Sequence, residues 1–507
     1  MSGRGRPVVV ALAVLAACAR PVSVDTGPPP ETPAFRVLSI NDVYVADTLR
    51  DGSGGVARVA ALRDSLARTA PVLFMLAGDV LAPSLLTKWY GGAQMVDVLN
   101  AARLDFAALG NHEFDISQAR FEARLRESRF RWLSANCRRA DATPFPNVRG
   151  WDTVRTGGVL VGVVGATIAS RYPSWVSCTD PVAAVHAAID TAEASGATAI
   201  VALTHLAVSA DSALLVREPR IAFIAGGHEH TEQRVAIGDR LVRKADSDAR
   251  TAVVASFYRR GSGWRVQDEL VPIDRRLSDA APVAAVVARW TDSLIAHLGP
   301  VRVLGTSASA IDVRDGSGRN GESPFGNLAT DAMRAGTRSD VALLNGGAMR
   351  LDDVIAAGPI TNHQMESIFL FPDETRVVTF PLTGAALRAQ LTHNVKTQIG
   401  VGGYLQVSGI RYTYDGGAPP SQRSVLALTR EDGRPIADSD TLVVSAVGYM
   451  ACNGGDGYTM VEQSRSACAR LSSAPRTVDL LMAYLAAMPG GQIAMPPTGR
   501  VSTGGVR

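Results

Sequence analysis

Short apolar runs alternate with amphipathic helical patterns through the first half of the chain. The runs have the length of strands, are rich in leucine and β-branched residues, and most stop at Gly, Asn, Asp or His. They lie at residues 35–40, 72–78, 104–110, 159–166, 197–205 and 221–227. Between them, apolar residues recur at helical spacing in residues 54–68, 91–103 and 181–196. This alternation predicts an α/β fold with helices on both faces of its sheets and functional groups at the carboxyl ends of strands.

The pattern changes at residues 276–300, which form one amphipathic helical stretch closed by Gly299 and Pro300. We therefore expect a linker helix here, between a first domain at residues 35–275 and a second domain at residues 301–507. The second half alternates again, with predicted elements at residues 326–336, 340–350, 375–395 and 440–458.

Length and composition fit two ordinary globular domains. The chain has 507 residues, whereas single hydrophobic cores stop growing at roughly 250–300 residues. Apolar residues make up 46% and charged residues 20%, so both halves can bury a core. The net charge is +3 and no run of like charge occurs, so we expect no nucleic acid partner.

The first 34 residues resemble an export segment followed by a tether. Arg4 and Arg6 precede an apolar run that is too short to span a bilayer as a mature helix. The stretch from Leu15 to Cys18, "LAAC", resembles a bacterial lipobox, and a Pro-rich tether follows it. We expect export to the periplasm or cell surface, with Cys18 carrying the lipid that anchors the protein to a membrane. A plain cleaved signal is the alternative.

Four further cysteines remain, and none of them lies in a C-x-x-C pair that would favour a zinc finger. Outside the cytoplasm an even number of cysteines permits disulfides. The order of the cysteines in the sequence suggests the pairs Cys137–Cys178 and Cys452–Cys468. Buried free thiols are an equally weighted alternative, and four cysteines allow three connectivities.

Five strand ends of the first half carry side chains that can bind metal ions. They are Asp42, Asp79, Asn111 with His112, His205, and His228 with His230. A lone histidine before a loop is more often a capping or core residue, but four of the eight histidines lie at these ends. Mixed nitrogen and oxygen donors suit Zn, Mn or Fe better than calcium. So many donors exceed one tetrahedral zinc site, which favours two metal ions bridged by a carboxylate such as Asp79.

The order of these motifs resembles the calcineurin-like metallophosphoesterases, and the second half narrows the resemblance to the 5′-nucleotidase and UDP-sugar hydrolase family. The blocks that carry it are "GNHEFD", "GGHEH", "GESPFGNLATDAMR", "DVALLNGGAMR", "GGYLQVSGIRYTYD" and "NGGDGYTM". The resemblance covers the chain after about residue 35. It implies two four-layer α/β/β/α sandwich domains joined by the helical linker.

The resemblance also implies a role for each matching residue. One metal ion would be held by Asp42, Asp79 and His230, and the other by Asp79, Asn111, His205 and His228. His112 would stabilise the phosphoryl transition state or protonate the leaving oxygen, and Asp115 would orient His112. In the second domain the substrate-binding residues would be Asn345 and Arg350 for the nucleotide, Asp456 for the sugar and Tyr404 for stacking on the base.

Two positions depart from the family pattern. Tyr44 stands two residues after Asp42, on the same side of the strand, where the family has a histidine. A phenolate there would suit ferric iron, but we favour a protonated phenol that packs or forms hydrogen bonds. Met450 stands where the family usually has the second aromatic residue of a base clamp, so a preference for adenine is open.

These features together predict metal-dependent hydrolysis of nucleoside 5′-monophosphates in a cleft that rotation about the linker would close. The alternatives are cleavage of UDP-sugars or cyclic nucleotides, or a nucleotide-binding lipoprotein whose catalysis is weakened at Tyr44. The presence of His112 and Asp115 favours an enzyme, because a binding protein does not need them. The sequence leaves the oligomeric state open.

Overall fold

A computed structural model of the chain describes residues 31–170, 172–371 and 375–504. The first domain contains the strands β1 (Phe35–Ile40), β2 (Val72–Leu76), β3 (Phe106–Ala108), β4 (Arg131–Leu133), β5 (Cys137–Arg139), β6 (Val148–Arg149), β7 (Trp151–Thr156), β8 (Val159–Thr167), β9 (Val176–Cys178), β10 (Ala199–His205), β11 (Ile221–Gly226), β12 (Gln233–Ile237), β13 (Arg240–Lys244), β14 (Thr251–Arg260) and β15 (Gly263–Pro272). Its helices are α1 (Val56–Leu66), α2 (Leu85–Tyr90), α3 (Ala93–Ala101), α4 (Gln118–Glu127), α5 (Pro181–Ala194) and α6 (Val208–Arg217). All six predicted strands and all three predicted helices of this half are confirmed.

Two sheets form the centre of the first domain. One has the order β15-β14-β1-β2-β3-β4-β6, and the other has the order β12-β13-β11-β10-β8-β7. The strands β1, β2, β3, β4 and β6 are parallel to one another, as are β8, β10, β11 and β13. Neighbouring parallel strands bring their carboxyl ends to the same edge of a sheet.

Three hydrophobic clusters separate four layers in this domain. The central cluster packs the two sheets face to face and includes Val37, Leu73, Val161 and Val201. A second cluster lies between the first sheet and α1, α3 and α4, and a third lies between the second sheet and α5 and α6. The α/β class is therefore confirmed, with the first domain built as an α/β/β/α sandwich.

The second domain has smaller sheets around a single core. Its strands are β16 (Val303–Ser307), β17 (Ile311–Asp312), β18 (Val341–Asn345), β19 (Val354–Ile355), β20 (Gly358–Thr361), β21 (Val377–Thr383), β22 (Leu405–Ser408), β23 (Ile410–Asp415), β24 (Val425–Arg430), β25 (Thr441–Val447), β26 (Gln492–Ile493) and β27 (Val501–Gly504), and the largest sheet has the order β21-β25-β18-β22. One cluster of buried residues joins these strands to the helices.

A long helix, α7 (Ala281–Leu298), lies within the predicted linker at residues 276–300, and Gly299 follows it. The helices of the second domain are α8 (Asp315–Arg319), α9 (Pro324–Thr337), α10 (Asn362–Glu366), α11 (Gly384–His393), α12 (Gly448–Asn453), α13 (Val461–Cys468) and α14 (Thr477–Ala486). Helix α7 packs against α1 and α3 of the first domain. Its Trp290 donates a hydrogen bond to Asp97 at 3.1 Å, so the linker is fixed to the first domain.

Both suggested disulfides are present. Cys137 is bonded to Cys178 and joins β5 to β9, while Cys452 is bonded to Cys468 and joins α12 to α13. The predicted export segment, including Arg4, Arg6 and Cys18, lies outside the described residues. Across residues 31–504, apart from 171 and 372–374, no helix combines the length and apolar character needed to cross a bilayer.

A buried ion pair connects the two domains. Lys88 of α2 donates to the carboxylate of Glu366 in α10 and to the carbonyl of Phe369 at 2.9 Å. Arg476 reaches the other oxygen of Glu366 at 3.0 Å. Lys88 is 4% exposed and Glu366 is 7% exposed. Burial lowers the pKa of Lys88, while Glu366 opposes that effect. The buried charge of Lys88 in the first domain is therefore neutralised by a carboxylate of the second domain.

We expect the substitution Lys88→Met to lower the stability of the folded chain. The substitution removes the donor to the Phe369 carbonyl and leaves Arg476 as the remaining partner of Glu366. Breaking a buried ion pair lowers the free energy of unfolding by about 3 kcal/mol. Differential scanning calorimetry should show a melting temperature several degrees lower. The control is Lys396→Met, at a partly exposed lysine, which should melt within one degree or so of the wild type. Equal melting temperatures for all three proteins would contradict this account of the interface.

Candidate active site

The predicted metal ligands meet where the carboxyl edges of the two sheets face each other. Asp42, Asp79 and Asn111 follow the neighbouring strands β1, β2 and β3 of the first sheet. His205 ends β10 of the second sheet, and His228 and His230 follow its neighbour β11. Side chains that are separated by as many as 188 positions in the sequence are thus collected at one place.

Short distances connect these side chains. One donor atom each from Asp42, Asp79 and His230 lies within 4.8 Å of the other two. His205 Nε2 lies 3.1 Å from Asp79 Oδ2 and 3.9 Å from Asp42 Oδ1. The rings of His205 and His228 are 5.3 Å apart, measured between centroids. The structure therefore places Asp79 beside both Asp42 and His205.

The chemistry of the cluster fits a cation. Asp42 Oδ1 and Asn111 Oδ1 are buried, and within the described part of the chain neither has a hydrogen-bond partner. His205 Nδ1 lies 2.8 Å from the carbonyl of Ala77, which leaves Nε2 facing the carboxylates. A hydrogen bond at one ring nitrogen usually fixes the tautomer and orientation of a histidine that binds metal through the other nitrogen. Buried, unsatisfied oxygen atoms next to carboxylates are costly unless a positive charge offsets them.

The backbone at these ligands is strained. Asp42, Asp79, His228 and His230 have φ angles of 52°, 56°, 95° and 62°. Residues other than glycine pay about 1–3 kcal/mol each for this left-handed conformation, which clusters at functional sites. The strain aims several side chains at one point, and surrounding hydrogen bonds must hold it.

Glu113 holds the loop after β2, although the sequence analysis assigned it no role. It is fully buried and accepts hydrogen bonds from the backbone N–H groups of Asp79 at 3.0 Å and Val80 at 2.7 Å. Burial, followed by the charge of Asp79, raises the pKa of Glu113 to about 7. The available signal was its position inside "GNHEFD", where it follows His112 directly.

His112 and Asp115 form a close pair beside the metal cluster. His112 Nδ1 lies 2.5 Å from Asp115 Oδ2. The backbone N–H of His112 donates to Asp79 Oδ1 at 2.8 Å. Burial alone would lower the pKa of His112, but the carboxylates of Asp115 and Asp79 raise it to about 9. Because Asp115 engages Nδ1, the free Nε2 is the atom that can meet a substrate.

Tyr44 reaches into the cluster as a neutral phenol. Its hydroxyl lies 3.2 Å from Asp79 Oδ2 and 3.0 Å from His230 Nε2. Burial, then the charges of Asp79 and Asp42, raise the pKa of Tyr44 well above its ordinary value. Asp248, which the sequence analysis missed, accepts hydrogen bonds from the N–H groups of Tyr44 and Val45 at 2.8 and 3.0 Å.

A cleft of about 890 Å³ separates this cluster from the second domain. His112 and Asp115 line it from one side, and Asn345, Arg350 and Asp456 line it from the other. Arg350 also lines a smaller cavity of about 230 Å³ together with Tyr44 and His230. Arg350 therefore borders both the cavity at His230 and the cleft at His112.

Two further residues of the second domain line the cleft and were missed. Arg319 is partly buried, and burial lowers its pKa, opposed by the neighbouring Asp315. Tyr449 donates a hydrogen bond to Asp456 Oδ1 at 3.1 Å, while Asn345 donates to Asp456 Oδ2 at 3.3 Å. Arg319 lies two residues before the start of "GESPFGNLATD", but nothing in the sequence distinguishes it from a surface arginine.

The structure places Tyr404, the residue predicted to stack on the base, inside the second domain and away from the cleft. Its side chain is 3% exposed, and the described residues that line the cleft do not include it. Burial raises its pKa, with Tyr414 and Glu322 adding to the effect. The physical reason is its backbone, because the Tyr404 carbonyl accepts the N–H of Gly346 at 2.7 Å and places the ring inside the domain. Met450, which departs from the family pattern, is also fully buried, so neither side chain is open to a base.

Comparison with known proteins agrees with this architecture. Residues 35–232 match the profile of the calcineurin-like phosphoesterases, and residues 303–463 match that of the 5′-nucleotidase C-terminal domain. The chain belongs to the 5′-nucleotidase family. It is therefore a hydrolase of phosphoric esters that depends on metal ions.

Individual relatives are distant but cover most of the chain. A 5′-nucleotidase of Diplobatis ommata is 26% identical over 85% of this chain and 84% of its own length. A 5′-nucleotidase of Homo sapiens is 25% identical over 89% of this chain and 88% of its own length. The crystal structure of a 5′-nucleotidase precursor from Thermus thermophilus covers 92% of this chain and 99% of that chain, with a TM-score of 0.77 and 25% identity.

Metal affinity in this 5′-nucleotidase family member should rise with pH. Burial alone would lower the pKa of His205, but Asp79 and Asp42 raise it to about 10. The metal-free imidazole therefore carries a proton at neutral pH, and a cation must displace that proton. We expect the affinity for Mn²⁺ to increase about tenfold per pH unit between roughly pH 6.5 and 8.5. Isothermal titration calorimetry in buffers of different ionisation enthalpy measures the released proton.

The control for this measurement is His186→Ala, which removes an exposed histidine of α5 and should leave the pH dependence unchanged. An affinity for Mn²⁺ that is independent of pH, with no proton released, would show that His205 does not bind the ion.

Proposed function

We propose that the protein hydrolyses nucleoside 5′-monophosphates to nucleoside and phosphate, using two metal ions in the cleft between its domains. One observation carries the proposal. Arg350 of the second domain lines both the cavity next to His230 and the cleft that His112, Asn345 and Asp456 share. A phosphate held near the metal ligands would therefore have a guanidinium group beside it, with room for a nucleoside behind it.

Two overlapping sets of donors would hold the ions. Asp42, Asp79 and His230 would form one set, and Asp79, Asn111, His205 and His228 would form the other. The short distances around Asp79 support a bridging position for its carboxylate. When bound, such ions would offset the negative charge of the ester and favour attack by water. Zn, Mn or an Fe-containing pair would suit these donors.

His112 would act on the leaving group. Its Nδ1 is engaged by Asp115, which fixes the ring and would leave Nε2–H free to meet the substrate. In the metal-free protein, Asp115 and Asp79 raise the pKa of His112 to about 9, so the ring holds that proton at neutral pH. Nε2–H would then donate a hydrogen bond to the phosphoryl group or give its proton to the departing ribose oxygen. Asp115 would stabilise the charged form of the ring.

The second domain would bind the nucleotide. Arg350 and Arg319 would neutralise the phosphate, and the Asp456 carboxylate would accept hydrogen bonds from the ribose hydroxyls. Asn345 and Tyr449 already hold both oxygens of Asp456, so its orientation is set before substrate arrives. With Tyr404 buried, the rings of Phe371 and Tyr449, which line the cleft, would provide the faces for a base.

Tyr44 would remain protonated and would not replace the histidine of the family as a ligand. It would donate its hydroxyl proton to Asp79 Oδ2, which lies 3.2 Å away. A ferric phenolate would instead give the purified protein a visible absorption band, so a colourless protein with bound metal supports the neutral phenol.

We also propose that the protein is exported and anchored through Cys18. Two disulfides support a location in an oxidising compartment. Mass spectrometry of the protein from the membrane fraction would detect an acylated Cys18, and a mature chain that begins at another residue without lipid would refute the anchor.

The direct test of the function is phosphate release from a panel of nucleotides in the presence of Mn²⁺ or Zn²⁺. We expect nucleoside monophosphates to be hydrolysed at a higher kcat/KM than UDP-sugars or cyclic nucleotides. The variant His112→Ala should reduce kcat by about 10² to 10⁴-fold, because general acid catalysis contributes that much. Its affinity for nucleotide should change little.

The panel also separates the alternative functions. Tight nucleotide binding with background phosphate release would identify a binding lipoprotein, and recovery of turnover in Tyr44→His would show that Tyr44 had weakened an enzyme. Faster cleavage of UDP-sugars than of monophosphates would replace the proposed substrate class.

A further inference from the structure

Lys244 is an unusual residue in this chain. Lysine occurs at only three positions, 88, 244 and 396, among 51 basic residues. The side chain of Lys244 is fully buried, and it is the last residue of β13. A buried ammonium group is stable only when its charge and its three donors are all satisfied.

The ammonium group of Lys244 binds the backbone at two strand ends. It donates to the carbonyl of Leu206 at 2.6 Å and to the carbonyl of Gly227 at 2.7 Å. Leu206 directly follows His205, and Gly227 directly precedes His228. One side chain therefore fixes the backbone next to two predicted ligands, one at the end of β10 and the other in the loop after β11.

Two carboxylates complete the surroundings of Lys244. Glu229 Oε2 lies 2.6 Å from its nitrogen, and Asp211 Oδ2 lies 2.8 Å away. The other oxygen of Glu229 accepts the N–H of Val208, the first residue of α6, at 2.5 Å. The loop after β10 and the loop after β11 are thus joined through Lys244 and Glu229 together.

The local shape favours lysine over a larger cation. A Cβ atom on Gly226 would come within 2.8 Å of Lys244 Cε, and one on Gly227 would come within 2.3 Å of the Ala77 carbonyl. The backbone therefore packs directly on the lysine stem on one side and on the metal cluster on the other. The compact ammonium group fits this space, whereas the planar guanidinium group of arginine is wider.

Lys244 contacts the strained loop after β11, which carries His228 and His230. His228 and His230 keep φ angles of 95° and 62°, and such strain persists only where neighbours hold it. Lys244 bonds the residue before His228, and its partner Glu229 lies between the two histidines. The ring of His228 stays 5.3 Å from that of His205 under these restraints.

We propose that Lys244 is a positioning residue for the metal centre: its ammonium group sets the spacing of His205 and His228 by holding the carbonyls of Leu206 and Gly227. This inference rests on the proposed function, because it assumes that these histidines bind an ion. Lys244 itself would touch neither ion nor substrate, because its ammonium group is engaged by two carbonyls and two carboxylates.

The test measures Mn²⁺ affinity and ion content in Lys244→Met, alongside the melting temperature of the metal-free protein. Residues that orient metal ligands typically contribute about 10–100-fold to affinity. We therefore expect the variant to bind at least one ion about 10–100-fold more weakly than the wild type. A purely structural role would lower the melting temperature and leave the affinity of the folded protein unchanged.

Lys88→Met is the matched control. Lys88 is also a buried lysine that binds a carboxylate and a carbonyl, but it does so in the domain interface. The variant Lys88→Met should have a lower melting temperature than the wild type and the same affinity for Mn²⁺. Affinities within twofold of the wild type in folded Lys244→Met would overturn the proposal, as would equal losses of affinity in both variants.

A second variant covers the case in which Lys244→Met fails to fold. Four oxygen atoms surround the ammonium group of Lys244, two from carbonyls and two from carboxylates. The amide of Lys244→Gln can donate to only two of them, so we expect an affinity for Mn²⁺ about threefold or more below that of the wild type. Unchanged affinity in this variant refutes the positioning role. A wild type that binds Mn²⁺ but hydrolyses no nucleotide would refute the proposed function alone, whereas a wild type that binds no ion would refute both.

Discussion

Two buried carboxylates that face each other impose the main constraint on this molecule. Asp42 and Asp79 are 0% and 1% exposed, and burying two negative charges is expensive without positive charge nearby. The metal-free protein meets this need with imidazoles, since Asp79 and Asp42 hold the pKa of His205 at about 10. The same arrangement would accept a cation in exchange for protons. Charge compensation thus connects folding of the first domain to its chemistry.

The topology explains how such a cluster can be assembled. Parallel neighbours in each sheet place their carboxyl ends together, and the face-to-face packing of the two sheets brings those edges into contact. The ligands come from loops that would not hold a left-handed backbone alone. Glu113 restrains the loop after β2, and Lys244 restrains the loops after β10 and β11. The second domain adds the positive charges of Arg319 and Arg350 across the cleft.

The strands of the first domain and its predicted metal ligands could be predicted from the sequence, because both follow from strong local patterns. The six predicted strands of the first domain are continuous apolar runs, and a histidine, aspartate or asparagine at each relevant end made the ligand set visible. Asp79 and His205 could be expected to meet because strand ends of packed sheets converge. The spacing of Asp42 and Tyr44 also predicted that both side chains face the same way.

Other features depend on tertiary packing and left no local signal. Tyr404 carries the expected aromatic ring, yet its burial is decided by how its backbone docks on the turn at Gly346. Asp248 and Lys244 act through backbone groups that are distant in sequence, so nothing beside them in the chain marks their role. Glu113 had only its place in "GNHEFD" as a signal. Arg319 differs from other arginines only in its position at the cleft.

Anomalous diffraction at the manganese absorption edge, from crystals grown with Mn²⁺, tests the central claim most directly. The account predicts two peaks of anomalous density with the Asp79 carboxylate between them, one beside Asp42 and His230 and the other beside His205 and His228. A single peak away from Asp79, or none at saturating Mn²⁺, would contradict it.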